Sequence, residues 1–246
     1  MPLITLLLLM VAGVGSGLAG YLTGLASLVS YPALLAAGLP PLLANTTNTV
    51  GVVGIGVGSS ARSFRFLLGR DRRTLMLNLV TALVGGLAGS VLLLVGGDRV
   101  FTVLVPWLIG TASIALLFSP KLRALHGETE SRLAAGFALF LLCIYGGYFG
   151  AGAGVMYIAV MTILTKDGLG TSLIMKSLIF AVANLTAAVI FIVTGHVDWP
   201  AAIAMGVGSL IGGFLGPTVQ RWIPEPVLRI GVSLGGVGLA LWLAFH

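Results

Sequence analysis

Charged residues are scarce in this chain, and their scarcity excludes a soluble fold. Only 8% of its 246 residues are Asp, Glu, Lys or Arg, whereas 58% are hydrophobic. A typical soluble domain carries about 25% charged residues. The long apolar runs do not alternate with polar residues as the strands of a membrane β-barrel do. The sequence therefore predicts an all-α polytopic membrane protein, with residues 1–246 forming a single membrane domain in the lipid bilayer.

Groups that perform acid–base or metal chemistry are scarce as well. The single cysteine, Cys143, excludes an internal disulfide and a multi-cysteine metal site. The three histidines, His126, His196 and His246, lie in predicted loops or at the C-terminus, and no acidic residue falls inside a predicted span. Sequences of the HExxH, Walker and GxSxG types do not occur. We therefore expect no enzyme activity, no metal and no cofactor.

The hydrophobic sequence that is present divides into ten apolar elements, two of which are short. The second and the seventh would each form roughly 20 Å of helix, against a hydrocarbon core about 30 Å thick. Because each is too short to span that core, it either crosses with the help of irregular backbone or re-enters on the side that it left. Irregular backbone at membrane depth needs protein or a water-filled cavity around it. The ten elements are 3–23, 25–37, 42–61, 75–95, 101–118, 133–149, 153–165, 170–194, 200–218 and 227–245.

Basic residues predict the orientation of the chain. The connection 62–73 contains five arginines and one acidic residue, Asp71, so the positive-inside rule places it in the cytoplasm. We expect the protein to lie in the plasma membrane. A second basic loop, with Lys121, Arg123 and Arg132, follows two crossings later and is also expected to be cytoplasmic. The net charge of +6 lies beside the spans, so it does not indicate a nucleic-acid partner.

An internal repeat divides the chain into repeat one, about 1–120, and repeat two, about 131–246. Gly20-Tyr21 aligns with Gly147-Tyr148, and the GxxxG pairs at 85–89 and 208–212 align and predict close helix packing. Five elements per half is an odd number, which predicts that the second half is inverted. Re-entrant short elements would leave four crossings per half and parallel repeats. Two broken helices in matching positions indicate a transport site.

Lys176 is the charged residue that the sequence places well inside a span, about 9 Å from the start of the eighth element. An ionisable residue there costs at least about 2.5–3.5 kcal/mol on insertion scales and suggests a functional site. The alternative is that its long stem reaches the membrane surface.

Four polar residues, Asn45 to Asn48, begin the third element at the place that corresponds to Met175–Ser177 in the other half. Capping of the helix start would use one or two of them, and bonds between helices could use others. We predict instead that they form a substrate-binding site with Lys176, together with polar residues near the two breaks, although each of these could be structural. The predicted site comprises Asn45, Thr46, Thr47, Asn48, Lys176, Ser177, Ser27, Tyr21, Tyr148 and Asn184.

Two broken stretches, Ala19–Asn48 and Tyr145–Val160, resemble the sulfite exporter family TauE/SafE, the four-transmembrane-repeat sulfur anion permeases, and the resemblance covers nearly the whole chain. The sequence departs from the family at Leu25–Leu28, where relatives commonly carry several glycines in a row. The resemblance implies transport of small sulfur-containing or organic anions, such as sulfite. It is carried by Ala19–Asn48, with Pro32-Ala33-Leu34, Gly38-Leu39-Pro40 and Thr47-Asn48, and by Tyr145–Val160, Lys176-Ser177 and Asn184-Leu185.

The function expected from the sequence is secondary transport of a small anionic solute, by alternating access between the two repeats. The N-termini of broken helices attract anions through their partial positive charge, and Lys176 would add a full charge. An anion channel is the alternative, and a membrane scaffold is a third hypothesis. The substrate, the direction of transport, the coupling ion and the oligomeric state are left open.

Overall fold

The computed structural model describes residues 1–68, 71–118, 121, 131–165, 169–219 and 225–245, and this part of the chain forms nine helices and no strand. The predicted all-α membrane fold is thus confirmed, although the helix count is nine and not ten. The helices are α1 (Leu3–Thr23), α2 (Ala26–Ala36), α3 (Pro41–Leu68), α4 (Arg72–Leu117), α5 (Arg132–Tyr148), α6 (Ala153–Leu164), α7 (Leu169–Val193), α8 (Trp199–Val219) and α9 (Glu225–Phe245).

The difference in count arises in α4, which covers two predicted elements. Its 46 residues would form about 69 Å of straight helix, more than twice the thickness of a bilayer core. At Gly97 the backbone takes φ 65° and ψ −175°, a conformation essentially restricted to glycine, and the helix is broken there. The interruption is one residue long, so the two predicted elements follow each other directly as the two arms of α4. Each arm is long enough for one crossing.

The helices α1 and α2 form a hairpin, here named hairpin one. The Ser16 hydroxyl donates a hydrogen bond to the carbonyl of Ala26 at 3.0 Å, which holds the beginning of α2 beside the second half of α1. Further along, a Cβ on Gly15 would lie 3.7 Å from the side chain of Val29. As α2 proceeds it therefore contacts earlier residues of α1, so it returns toward the side on which α1 began.

The helices α5 and α6 form hairpin two in the same way. The Ser131 N–H, at the start of α5, donates to the carbonyl of Leu164, at the end of α6, at 3.3 Å. At the other end of the hairpin, the Tyr145 hydroxyl donates to the carbonyl of Ala151 at 2.6 Å and closes the turn. Both short helices therefore run back to the side on which their partner began. In neither hairpin does the short helix end on the side of the bundle toward which the long helix runs.

Glycines bring the outer helices into close contact in both halves. Gly208 and Gly212 of α8 pack against the backbone of α1 at Met10 and Val14. The prediction of close packing at the GxxxG pairs is confirmed here, and again in the first half, where Gly85 and Gly89 of α4 pack against α5 at Cys143 and Ile144. These contacts hold one long helix of each hairpin, α1 or α5, against a helix of the other half.

Candidate substrate site

The tips of the two hairpins meet inside the bundle. Gly24 ends α1 in the left-handed conformation, with φ 79°, and Gly154 lies in the first turn of α6. A Cβ on Gly24 would lie 3.0 Å from the Cα of Gly154, and a Cβ on Gly154 would lie 2.9 Å from the Cα of Gly24. The two backbones are therefore in direct contact, and only residues without a side chain permit this approach.

Lys176 of α7 lies across this contact. Its Cδ lies 3.0 Å from the position that a Cβ would occupy on Gly154, and its Nζ lies 3.3 Å from the corresponding position on Gly24. The residue is 4% exposed. Its ammonium group thus lies at the hairpin tips and does not extend to the membrane surface, as the alternative interpretation of the sequence would require.

A cavity of about 90 Å³ lies beside Lys176, bounded by both tips and by α3 and α7. Since each water molecule takes about 30 Å³ in the liquid, the cavity has room for a small solute or a few waters. Five of the ten predicted site residues line it, and so do Thr49, Phe149 and Phe180, which sequence reasoning did not include. The five are Tyr21, Ser27, Lys176, Ser177 and Asn184.

Two helix starts add partial positive charge to the same cavity. The first residues of α2, Ala26 and Ser27, and those of α6, Ala153 and Gly154, all line it. The first N–H groups of a helix have no partner within the helix and carry the positive end of its dipole. In the described part of the chain no side-chain bond caps either start. Together with the Lys176 ammonium, these groups make the cavity suitable for an anion.

Two of the four consecutive polar residues of α3 are engaged elsewhere. The Thr46 hydroxyl donates to the carbonyls of Leu42 and Leu43 in its own helix, at 3.2 and 3.1 Å. The Thr47 hydroxyl accepts a hydrogen bond from the N–H of Asp198, just before α8, at 3.0 Å. Neither threonine lines the cavity.

The two asparagines of the cluster connect α3 to the hairpins. Asn45 donates through Nδ2 to the carbonyl of Tyr148, the last residue of α5, at 2.8 Å. Asn48 donates through Nδ2 to the hydroxyl of Ser27 at 3.0 Å. Asn45, Asn48 and Tyr148 do not line the cavity themselves. Asn48 orients Ser27, whose side chain is at the cavity wall.

An aromatic cluster stands beside the cavity on the side where α2 ends. Phe149, 2% exposed, lines the cavity and packs edge-on against Tyr31 of α2, with ring centroids 5.4 Å apart. Phe101 of α4 packs against both rings, at 5.8 Å from Phe149 and 6.3 Å from Tyr31. The sequence carried no signal for this cluster, because its members are far apart in the chain and aromatic residues are common in any core.

An all-helical membrane bundle in which two helical hairpins meet at a polar cavity has the architecture of a membrane transporter. The model of the family described as sulfite exporter TauE/SafE matches residues 8–243, and the chain belongs to this family. The resemblance noted in the sequence is thereby confirmed.

Several related proteins match this chain over most of its length and of their own. A probable membrane transporter protein of Haemophilus influenzae is 28% identical over 217 residues, which is 85% of this chain and 82% of the relative. The probable membrane transporter protein YfcA of Escherichia coli K12 is 28% identical over 214 residues, 81% of this chain and 76% of the relative. ORF9 of a Sinorhizobium species, with the same description, is 28% identical over 96% of this chain and 90% of its own length. The protein is therefore a membrane transporter.

Proposed function

We propose that the protein is a secondary transporter of the plasma membrane for small sulfur-containing or organic anions, of the sulfite or sulfonate type. One observation carries the proposal: the Lys176 side chain and the starts of α2 and α6 line one small cavity at the meeting point of the hairpins. A cavity of this size and sign selects a compact anion over a bulky one. Membership of the sulfite exporter family supports the same class of substrate.

In the proposed complex, Lys176 neutralises the anion, and hydroxyl, amide and backbone N–H groups donate hydrogen bonds to its oxygens. Charge-assisted hydrogen bonds of this kind are shorter and stronger than neutral ones. Asn48 acts one step behind the cavity by orienting Ser27. Of the other residues predicted from the sequence, Asn45, Thr47 and Tyr148 support the elements that carry the site, whereas the Thr46 hydroxyl bonds only within its own helix. The direct donors are Tyr21, Ser27, Ser177 and Asn184, whereas the Thr49 hydroxyl, also at the cavity, donates to the Asn45 carbonyl of its own helix.

The hairpin arrangement supports the proposal of alternating access. The contact between Gly24 and Gly154 joins the two halves beside the cavity. If one half rocked against the other, the hairpin tips would separate on one side of the bound anion and approach each other on the opposite side. The cluster of Tyr31, Phe101 and Phe149 would close the cavity on the side where α2 ends.

Counterflow in proteoliposomes tests the proposal. Vesicles loaded with unlabelled sulfite should accumulate labelled sulfite transiently, with a rate that saturates, because a transporter returns faster when it is loaded. A flux that rises linearly with concentration and shows no exchange would make the protein an anion channel. Thr46→Val serves as a control, since the Thr46 hydroxyl bonds within its own helix and it should transport like the unaltered protein.

A further inference from the structure

Two buried oxygen atoms of α3, on residues that contact the two hairpins, are left without hydrogen-bond donors among the described residues. They are the side-chain Oδ1 atoms of Asn45 and Asn48, and no described residue donates to either of them. Both asparagines are 1% exposed. A buried polar group without a partner costs free energy, so such a group calls for an explanation by water, by an ion or by function.

The direction of the Asn45 side chain is fixed by its one hydrogen bond. Its amide contacts the carbonyl of Tyr148 at 2.8 Å, and a carbonyl oxygen only accepts hydrogen bonds. The nitrogen must therefore face Tyr148, and the oxygen must face away from it. In Asn48 the nitrogen likewise donates, to Ser27, which leaves its oxygen without a donor.

The face of α3 that carries these two asparagines contacts the negative end of one helix, α5. Asn45 and Asn48 are three residues apart on α3, so they lie on the same face of that helix. The face contacts Tyr148, the last residue of α5, where the helix presents the negative end of its dipole. Helix C-terminal ends and neutral oxygens at broken membrane helices are typical ligands of alkali cations in transporters.

We propose that Asn45 and Asn48, on the face of α3 that contacts the end of α5 and the start of α2, form a binding site for a small alkali cation, Na⁺, separate from the anion cavity. The ligands are neutral amide oxygens that do not titrate at physiological pH, so the site holds an ion and not a proton. Ser27 links the two sites, because it bonds Asn48 and also lines the anion cavity. A role of this ion in driving transport rests on the proposed function, but its binding does not.

Thermal unfolding of the purified full-length protein tests the site without any substrate. Unfolding is followed in NaCl, KCl, LiCl and choline chloride at one ionic strength. Na⁺ should raise the unfolding temperature and saturate, because a ligand that binds only the folded state stabilises it by mass action. An unfolding temperature that is the same in all four salts would overturn the proposal and leave water as the partner of the two oxygens.

Variants locate the ion. Asn45→Leu should weaken the apparent Na⁺ affinity roughly tenfold or more, since it removes one ligand oxygen. Thr46→Val, on the adjacent residue, should keep the full response. If Asn45→Leu does not fold, Asn48→Asp decides, because the Ser27 hydroxyl can donate to the new carboxylate and the added negative charge should tighten Na⁺ binding. Variants that fold and respond to Na⁺ like the unaltered protein would contradict the assignment.

The anion site is measured separately, by adding sulfite in choline chloride. A protein that responds to sulfite but not to Na⁺ retains the proposed function and loses the cation site. A protein that responds to Na⁺ but not to sulfite retains the cation site and loses the proposed function.

Discussion

Gly24 and Gly154 are the residues on which the contact between the two hairpins depends. The Cα of each would be 3.0 Å or less from a methyl group on the other. Gly24 also has φ 79°, which a residue with a side chain rarely adopts, whereas Gly154 is not among the glycines with positive φ. A substitution at Gly154 therefore tests the packing at the hairpin tips, against Gly24 and the Lys176 side chain, without backbone strain.

We predict that Gly154→Ala greatly reduces transport while the protein still inserts into the membrane. Its methyl group would meet the backbone of Gly24, which has no flexible side chain to move aside, so the site must open by a fraction of an ångström. Misplacement of about 1 Å in a functional site can cost roughly a hundredfold in rate.

Gly136→Ala is the matched control for this variant, because no described atom lies within 4 Å of the added Cβ. Initial rates of sulfite uptake, corrected for protein content, measure both variants. Transport by Gly154→Ala at the rate of the control would show that the hairpin contact does not shape the site.

The residues of the proposed site show how far sequence reasoning reaches at this scale. Lys176 could be singled out because a charge inside an apolar run is costly and rare. The polar run Asn45 to Asn48 pointed to the correct region of α3, but it did not show which partner each side chain would take. Thr46 bonds its own helix and Thr47 bonds Asp198, and such tertiary partners are not encoded in the spacing of residues along one helix.

Among the structural elements, hairpin two has a turn that is closed by one side-chain hydroxyl group. The Tyr145 hydroxyl donates to the carbonyl of Ala151, across residues 146–150 of the turn. Tyr31, in hairpin one, is fully buried, whereas Tyr145 is partly buried, and the Tyr31 hydroxyl meets no partner among the described residues. The two tyrosines therefore form a natural pair for comparison.

We predict that Tyr145→Phe lowers the free energy of unfolding by about 1 kcal/mol, and somewhat more if the Ala151 carbonyl finds no other donor. Tyr31→Phe should be neutral or stabilising, since it removes a buried hydroxyl that has no described partner. Thermal unfolding of both variants in detergent measures the difference. Equal losses from the two substitutions would mean that the hydroxyl of Tyr145 does not close the turn.

The elements themselves were largely predictable, and the exceptions have physical causes. Hydropathy and glycine positions indicated both short helices, because their apolar runs are shorter than a bilayer core. These two signals could not show that each short helix folds back along its partner, because that depends on contacts such as Ser16 with Ala26 and Ser131 with Leu164. The single-residue break at Gly97 was also taken as a longer connection.

In the whole molecule, contacts between helices occur in pairs in which the roles of the two halves are exchanged. The helix α1 packs on α8 as α4 packs on α5, and α3 contacts α8 as α4 contacts α7. Such exchange is what a two-fold relation between the repeats requires. Since five elements per half alternate in direction, we infer that hairpin one and hairpin two enter the bilayer from opposite sides.

Cysteine labelling tests this inversion. In a Cys143→Ala background, Ala36→Cys marks the base of hairpin one and Arg132→Cys marks the base of hairpin two; both residues are exposed. If the 62–73 loop is cytoplasmic, an impermeant thiol reagent should label Ala36→Cys in intact cells and Arg132→Cys only after the membrane is opened. Labelling of both positions from the same side would establish parallel repeats.

Equilibrium binding of sulfite to the purified protein tests the central claim most directly, namely that the hairpin tips and Lys176 hold an anion. The unaltered protein and Lys121→Gln, which removes an exposed lysine outside the cavity, should bind sulfite with the same affinity. Lys176→Gln should bind at least about tenfold more weakly, because it loses a charge-assisted contact. Equal sulfite affinity in Lys176→Gln and the unaltered protein would contradict the account.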